Sequence, residues 1–318
     1  MIPLNEKINV VSVVGPTASG KTKLAVELAK QFDGEVVSAD SMQIYQGMQI
    51  ATAKPDETEK QGIPHHLMNF LSPDKTYSVA MFVEDAKRCI AEIAARGKLP
   101  ILCGGTGLYV DSLLNNIQFF GEGRDDAYTK TLQKQFEQDG IESLLESLAK
   151  VDPPSYERLK EERNPKRVIR ALEFFHSTGK TITEQNERSR SSPSPYRVVK
   201  IGLNFTDREK LYDRINRRVD VMLERGLLAE AKSFLQTNIG DTAVKAIGYK
   251  ELAPYFRGEA SLEECIEKLK QETRRYAKRQ LTWFKRDKEI HWLYVDEERN
   301  FDTLLEKAVL LIKGRFYG

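Results

Sequence analysis

A glycine-rich loop between an apolar run and a helical pattern constrains this chain most. The apolar run at residues 10–14 is followed by GPTASGKT, which has the spacing G-x-x-x-x-G-K-[ST], and then by a helical pattern. In this setting the backbone N–H groups of the loop and the N-terminus of the helix form a binding site for phosphate. The sequence therefore predicts a phosphate-binding P-loop made of Gly15, Pro16, Thr17, Ala18, Ser19, Gly20, Lys21 and Thr22.

Two side chains of the loop add specific chemistry. Lys21 supplies a positive charge next to the phosphate, and the Thr22 hydroxyl is placed to ligate Mg²⁺. The motif alone does not identify the phosphate-containing ligand that binds there. It predicts an anion site with Mg²⁺ as the cofactor.

Composition excludes several other classes of protein. The net charge of +2 over 318 residues is too small to indicate a nucleic-acid binder by itself, so RNA binding would need local clusters of cations. Cys89, Cys103 and Cys265 are isolated, without zinc-binding or disulfide spacing. No apolar run approaches the roughly 18 residues of a membrane span. We expect a cytoplasmic protein without membrane contact, and the lack of a coiled-coil repeat favours a monomer.

The order of strand and helix signals predicts an interrupted core. The first part, residues 1–122, alternates strands with helices, with strands expected at 8–14, 35–38, 66–70 and 99–105. Residues 123–195 show only helical signals and read as an insertion. Strand character returns at 196, and a basic helix and a last strand at 291–295 follow. The expected fold is α/β, a P-loop NTPase-like parallel sheet core with a helical insertion domain.

An acidic residue is expected close to the phosphate site, but none follows the strand at 99–105. The strand at 99–105 ends in Gly104-Gly105-Thr106, whereas Asp40 follows the short second strand. Because the C-terminal ends of parallel strands meet at one edge, Asp40, Thr106 and the P-loop should face one crevice. Asp40 could hold Mg²⁺ through water, act as a general base, or simply cap a helix.

Seven further blocks, in order along the chain, narrow the interpretation. They are SADSMQIYQGMQIATAKP, PHH, GGTGLY, NPKRVIRALEFFHSTGK, RINRRVDVMLERGLLAEA, AIGYKEL and RRYAKRQLTWFKR. Together with the P-loop, this set resembles the tRNA dimethylallyltransferase (tRNA isopentenyltransferase) family of bacterial type. The resemblance covers nearly the whole chain, and the ordered set is far more specific than the P-loop alone.

The resemblance implies an activity and its residues. The family transfers a dimethylallyl group from dimethylallyl diphosphate to N6 of the adenosine 3′ of the tRNA anticodon, position 37, and releases diphosphate. The phosphate in the P-loop is then a leaving group, which backbone N–H groups, Lys21 and Mg²⁺ would stabilise. The matching catalytic positions are Asp40 as the base, Thr106, Arg218 and Lys21. His65 matches the histidine of the PH block, where a purely structural role is equally open.

The resemblance also implies where tRNA, through its anticodon stem-loop, would bind. On a helical wheel the cations of residues 274–286 share one arc, which favours phosphate contact, whereas Trp283 and Phe284 fall on the side expected to pack inward. The implied tRNA-binding residues are Asp40, Ser41, Met42 and Gln43; Lys166, Arg167, Val168, Ile169 and Arg170; Lys245, Ala246, Ile247, Gly248, Tyr249 and Lys250; and Lys278, Arg279, Gln280, Leu281, Thr282, Trp283, Phe284 and Lys285.

Three other functions stay open at the level of sequence. A small-molecule P-loop kinase would need ATP and would not need two distant basic clusters. A prenyltransferase acting on free adenine nucleotides would leave the insertion and the basic C-terminal helix without a role. A non-catalytic RNA-binding protein would not need Asp40 and Lys21.

Overall fold

The computed structural model describes residues 7–119, 125–189, 192–236, 240, 243 and 246–318. Within this part of the chain, six strands form one sheet in the order β3-β2-β4-β1-β5-β6, and every neighbouring pair is parallel. The strands are β1 Ile8–Val14, β2 Gly34–Ser38, β3 His65–His66, β4 Leu99–Gly104, β5 Tyr196–Asn204 and β6 His291–Tyr294.

Helices account for most of the remaining described residues. They are α1 Lys21–Gln31, α2 Glu57–Lys60, α3 Val79–Ala95, α4 Gly107–Leu114, α5 Asp126–Val151, α6 Pro153–Glu162, α7 Pro165–Thr178, α8 Ile182–Ser189, α9 Arg208–Glu224, α10 Leu227–Leu235, α11 Ala253–Phe256, α12 Leu262–Phe284 and α13 Phe301–Phe316. None of the helices that the structure describes combines the length and apolarity needed to cross a bilayer.

Alternating valines of β1 build the two sides of the core. Val10 and Val14 point to one apolar cluster, whereas Val11 and Val13 point to the other, as the two-residue period of a strand requires. Helices α3, α4 and α12 contribute to the first cluster, and α1 and α13 contribute to the second. Both faces of the sheet are therefore covered, and ligands can reach it only at its edges.

The described chain divides by its internal contacts into two units. One comprises residues 1–114 with 195–318 and contains the sheet; the other comprises residues 115–194. The second unit consists of α5 to α8 around its own apolar cluster, and α5 bends at Gly140, where φ is 75°. The expected boundary at 122/123 falls in residues 120–124, which lie outside the described residues.

The third strand is the one sequence prediction of the fold that was wrong in position. It was expected at 66–70, but β3 contains only His65 and His66. Leu67 and Asn69 both have φ of 57°, a left-handed conformation that ends an extended strand. The chain then turns back towards residues 43–46, where Asn69 donates its N–H to the carbonyl of Gln43 at 2.9 Å.

Candidate active site

The C-terminal edge of the sheet carries a cavity lined by residues of three loops. The P-loop follows β1, Asp40 follows β2 and Gly105 follows β4, so three loops converge there. The cavity has a volume of about 280 Å³. Its polar side includes Lys21, Thr22, Asp40 and Arg218, and its apolar side includes Val219, Met222, Leu227, Ile247 and Leu269.

The P-loop has the backbone of an anion site. Helix α1 begins at Lys21, directly after the N-cap residue Gly20, whose φ is 95°, and no side chain caps its first turn. The N–H groups of that turn are therefore free to bind a ligand. The Ser19 hydroxyl is buried and has no hydrogen-bond partner within the described residues. A buried polar atom without a partner is costly, so a phosphate oxygen at this position would stabilise the loop.

Two cations face this site without forming an ion pair among the described residues. The Lys21 ammonium donates only to the Pro16 carbonyl, at 2.6 Å. Burial lowers the pKa of Lys21 to about 8, and the nearby Arg218 lowers it further. Burial also lowers the pKa of Arg218. Two partly buried cations that share the cavity with a single carboxylate, Asp40, and form no ion pair with it make a site that favours a polyanion.

Asp40 presents one free carboxylate oxygen. Its Oδ1 accepts the N–H groups of Met42 at 2.9 Å and Gln43 at 3.3 Å, which fixes the turn after β2. Its Oδ2 makes no hydrogen bond with any residue that the structure describes, and Asp40 lines the cavity. The side chain thus combines a structural bond through one oxygen with a free proton acceptor on the other.

Thr106 occupies a supporting position. It is not among the described residues that line the cavity. Its hydroxyl accepts the N–H of Ser41 at 3.0 Å and hydrogen-bonds the hydroxyl of Tyr276. Ser41 and Tyr276 both line the cavity. Thr106 therefore holds the wall of the cavity in place, and a catalytic role for it stays a prediction.

Gln280 joins two of the three site loops, a role that the sequence did not reveal. Its Oε1 accepts the N–H of Thr17 in the P-loop at 2.8 Å, and its Nε2 donates to the carbonyl of Gly105 at 3.0 Å. The side chain is 5% exposed. An added Cβ at Gly105 would lie 2.0 Å from Nε2, so glycine is required for this contact. Gln280 fixes the P-loop against the end of β4.

We expect Gln280→Leu to loosen the P-loop. The substitution leaves the Thr17 N–H and the Gly105 carbonyl without partners, a loss of about 1–3 kcal/mol. The thermal midpoint should fall and affinity for inorganic diphosphate should weaken, both measurable on the purified protein. Gln271→Leu on the same helix, where Gln271 accepts a single long hydrogen bond from Lys268 at 3.4 Å among the described residues, is the matched control. Equal behaviour of the two variants would show that Gln280 does not support the loop.

A second residue missed by the sequence, Glu230, anchors the outer wall. Its carboxylate accepts three successive backbone N–H groups, from Gln49 at 2.9 Å, Ile50 at 2.8 Å and Ala51 at 2.9 Å. It also accepts the hydroxyl of Tyr249 at 2.9 Å. Ala51 lines the cavity, so this acid on α10 holds a cavity-lining loop in place.

The tRNA-binding residues predicted in the sheet-containing unit differ in how exposed they are to solvent. Lining the cavity are Asp40, Ser41, Met42, Gln43, Ala246, Ile247, Gly248, Lys250, Arg279 and Gln280. Tyr249 and Phe284 are 1% exposed, so their side chains pack in the core, and RNA contact at these two positions stays a prediction. Trp283 is partly buried and donates its indole N–H to Asp111 at 2.6 Å, as expected for a packed residue. Lys278, Thr282 and Lys285 are exposed, Leu281 is partly buried, and Lys245 lies outside the described residues.

The predicted tRNA-binding residues of the insertion lie on α7. Val168 and Ile169 are 0% and 7% exposed and belong to the apolar cluster of that unit, so their side chains pack inward, and RNA contact at these positions stays a prediction. Arg167 pairs with Glu162, and Arg170 pairs with the buried Glu173. Lys166 is exposed and makes no ion pair within the described residues. The insertion therefore has less unpaired positive charge than its sequence suggests.

His65 is placed away from the cavity wall. Its Nδ1 bonds to the carbonyl of Ile63 at 2.8 Å, and burial lowers its pKa. It is not among the described residues that line the cavity. The structural role left open by the sequence accounts for these contacts.

A divalent cation would find few protein ligands here. No group of three or more His, Cys, Asp or Glu side chains with suitable geometry occurs among the described residues. The Thr22 hydroxyl and the Asp40 carboxylate are hard oxygen donors in the cavity. Mg²⁺ typically uses one or two protein oxygens together with phosphate oxygens and water, and the residues present fit that pattern.

These features define a P-loop protein with a buried polyanion site beside a free carboxylate. The family model described as IPP transferase matches residues 43–287, and one described as isopentenyl transferase matches residues 8–71. The chain belongs to the IPP transferase family, that of the tRNA dimethylallyltransferases. It is 48% identical to the tRNA dimethylallyltransferase of Acetivibrio thermocellus, over 91% of this chain and 92% of the relative. It is 49% identical to that of Bacillus cytotoxicus, over 94% of each chain.

Solved structures agree with this assignment. The full-length tRNA isopentenylpyrophosphate transferase from Bacillus halodurans is 43% identical, with a TM-score of 0.73 over 97% of each chain. A eukaryotic dimethylallyltransferase, whose structures are described as snapshots of it acting on tRNA, is 30% identical with a TM-score of 0.80. That likeness covers 95% of this chain and 78% of the eukaryotic chain. The predicted family and the P-loop NTPase-like fold are confirmed.

Proposed function

We propose that this chain transfers a dimethylallyl group from dimethylallyl diphosphate to N6 of the adenosine 3′-adjacent to the anticodon, position 37, in tRNA. The observation that carries the proposal is the cavity in which Lys21 and Arg218, unpaired among the described residues, lie with the free oxygen of Asp40. Family membership supports transfer to tRNA over the kinase and the free-nucleotide alternatives.

The diphosphate would lie on the P-loop as the leaving group. When the carbon–oxygen bond breaks, negative charge develops on the diphosphate oxygens. The N–H groups at the start of α1, the Ser19 hydroxyl, Lys21 and Arg218 would surround that charge. Preorganised donors of this kind lower the barrier because they need not reorient during the reaction. The apolar side of the cavity, with Met222 and Leu269, suits the prenyl chain.

Asp40 would act as the general base. The amine of adenine is a weak nucleophile, and its N–H proton must leave as the new N–C bond forms. Asp40 Oδ2 can accept that proton, while the two backbone bonds to Oδ1 hold the carboxylate in orientation. A correctly placed base contributes typically 10²–10⁴-fold to the rate.

Mg²⁺ is the cation we propose for the site. Enzymes that act on prenyl diphosphates typically need a divalent metal. Thr22 would hold it together with phosphate oxygens and water, and the ion would supply charge stabilisation to the diphosphate. We propose that the protein works as a cytoplasmic monomer.

The proposed function is tested with unmodified tRNA, Mg²⁺ and labelled dimethylallyl diphosphate, without ATP. Label should enter the RNA, and it should map to the adenosine 3′ of the anticodon after nuclease digestion. A tRNA with guanosine at that position is the matched negative substrate. Transfer of label to free AMP but not to tRNA, or ADP release from added ATP in step with turnover, would contradict the proposal.

In the insertion we expect Lys166 to matter more than Arg170 for binding RNA. Lys166 is unpaired among the described residues, whereas Arg170 pairs with Glu173. A phosphate contact by Arg170 would therefore release less counterion from the RNA. Lys166→Gln should weaken tRNA binding and reduce the slope of log affinity against log salt by about 0.7–0.9. Lys150→Gln, another exposed lysine of this unit, is the control. A larger slope change for Arg170→Gln than for Lys166→Gln would reverse this ranking.

A further inference from the structure

A second groove lies on the flank of α12 that faces away from the active-site cavity. Thr273, Tyr276 and Gln280 line the cavity, whereas Lys278, Leu281 and Lys285 line the groove. At 100° per residue these two sets lie on opposite sides of the helix. The groove has a volume of about 580 Å³ and is bounded by the start of α9 and the end of β6. A ligand in this groove would be separated from Asp40 by α12.

Three cationic side chains line the groove. Arg208, Lys278 and Lys285 are exposed, and none of the three side chains forms an ion pair or hydrogen bond within the described residues. Two other cations of α12 are neutralised: Arg275 pairs with Glu272 at 2.6 Å, and Lys270 pairs with Asp220 at 2.8 Å.

A single carboxylate belongs to the groove lining that the structure describes. It is Glu297, which accepts the hydroxyl of Thr206. Because three cations and only one acid line the groove, its net charge is positive. Such a surface attracts a chain of phosphates, and binding it would release counterions.

Two aromatic rings give the groove a second property. Tyr212 and Tyr294 line it and are partly exposed, and their hydroxyls make no hydrogen bond with the described residues. Phe205 and Leu211, which also line the groove, form a small buried apolar cluster with Ile215 and Ala277, and Tyr212 packs against this cluster. Tyrosine faces between lysines and arginines are the usual platform for unpaired bases of a single strand.

We propose that this groove binds a single-stranded segment of the RNA substrate that flanks the reacting nucleotide. Arg208, Lys278 and Lys285 contact its phosphates, and Tyr212 and Tyr294 stack on its bases. The inference rests on the proposed function for the identity of the substrate. It goes beyond the resemblance, which assigns RNA contact to Lys278 and Lys285 on α12 but to no residue of α9 or β6. It also states a mode of binding, the stacking of bases on tyrosine, that the positions of the cations on α12 did not indicate.

The test separates charge from stacking. Affinity for an anticodon stem-loop RNA is measured without donor at several salt concentrations. Arg208→Gln should weaken binding and reduce the salt slope by about 0.7–0.9, the loss of one phosphate contact. Tyr212→Leu should weaken binding by roughly five- to a hundredfold with the slope unchanged. Tyr212→Phe, which keeps the ring, should bind like the parent protein and shows that the position tolerates substitution.

Lys313→Gln is the matched control for charge. Lys313 is exposed on α13, whose end lies with Ile8 at the opposite edge of the sheet, and it makes no ion pair within the described residues. It should leave both affinity and slope unchanged. Diphosphate affinity should be unchanged in every variant, because no P-loop residue is altered.

Three results would overturn the inference. They are an unchanged affinity and slope for Arg208→Gln, an equal change for Lys313→Gln, and an acidic peptide that displaces RNA through Arg208 and Tyr212 at lower concentration than RNA itself. If the groove binds RNA but the proposed function is wrong, the experimental result differs. The parent protein would then bind the stem-loop with the groove dependence described but transfer no label to it.

Discussion

Asp40→Asn should reduce prenyl transfer to tRNA by about 10²–10⁴-fold at saturating substrates. The amide oxygen of asparagine can still accept the N–H groups of Met42 and Gln43, which Asp40 Oδ1 accepts at 2.9 and 3.3 Å. The turn after β2 should therefore persist. What is lost is the proton-accepting oxygen Oδ2, so turnover should fall while binding of diphosphate and of tRNA changes little.

The comparison with Asp40→Ala isolates the chemical contribution. Alanine removes the proton acceptor and also the two hydrogen bonds of the turn, so Asp40→Ala should lose thermal stability as well as turnover. Single-turnover rates with prebound substrates measure chemistry separately from binding. Near-normal single-turnover rates for Asp40→Asn would show that Asp40 is not the base. A raised KM with an unchanged rate would instead assign Asp40 to binding.

The sequence predicted the elements whose physical signals are local. The strand before the P-loop, the helix after it and the amphipathic helix Val79–Ala95 depend on periodicity and on turn residues within a few positions. The convergence of Asp40 with the P-loop also followed, because parallel strands place their C-terminal ends at one edge. The position of β3 did not follow, since its end depends on the left-handed conformations of Leu67 and Asn69, which no composition signal marks.

The parts of the site that escaped prediction depend on contacts between distant segments. Gln280 sits among cations in the sequence and looked like part of an RNA-binding face, but it bonds to Thr17 and Gly105, 263 and 175 positions away. Glu230 bonds to the loop at residues 49–51 across a similar separation. The pairing of Arg167 and Arg170 with acids likewise needed the fold, because a helical wheel shows where charge lies but not what neutralises it.

The unpaired cations of the cavity explain why a diphosphate should bind tightly to a site that lacks a cluster of acidic metal ligands. Burial lowers the pKa of both Lys21 and Arg218, and the charge of Arg218 lowers the pKa of Lys21 further. A dianion between them would remove that repulsion and would raise the pKa of Lys21 again. Affinity for the donor and protonation of Lys21 are thus linked.

Lys21→Met should weaken donor binding and slow the chemical step, with kcat/KM for dimethylallyl diphosphate reduced by about 10²–10³-fold. Methionine keeps much of the length of the side chain and removes the charge. The pH profile provides an independent readout, because the pKa of Lys21 in the free protein is about 8. Lys21 is then roughly nine-tenths charged at pH 7 and about one-tenth charged at pH 9. The kcat/KM for the donor should therefore fall as pH rises through about 8, since this parameter reports the free enzyme.

In Lys21→Met this alkaline decline should disappear, because the titrating group is absent. Under saturating donor the parent protein should keep its activity to higher pH, since the bound anion raises the pKa of Lys21. Lys23→Met is the matched control: Lys23 lies on the same helix, with its ammonium 4.0 Å from the centre of the Phe301 ring. That variant should keep both the rate and the pH profile of the parent. An alkaline decline that survives in Lys21→Met would assign the titration to another group, and a loss confined to tRNA affinity would remove Lys21 from the diphosphate site.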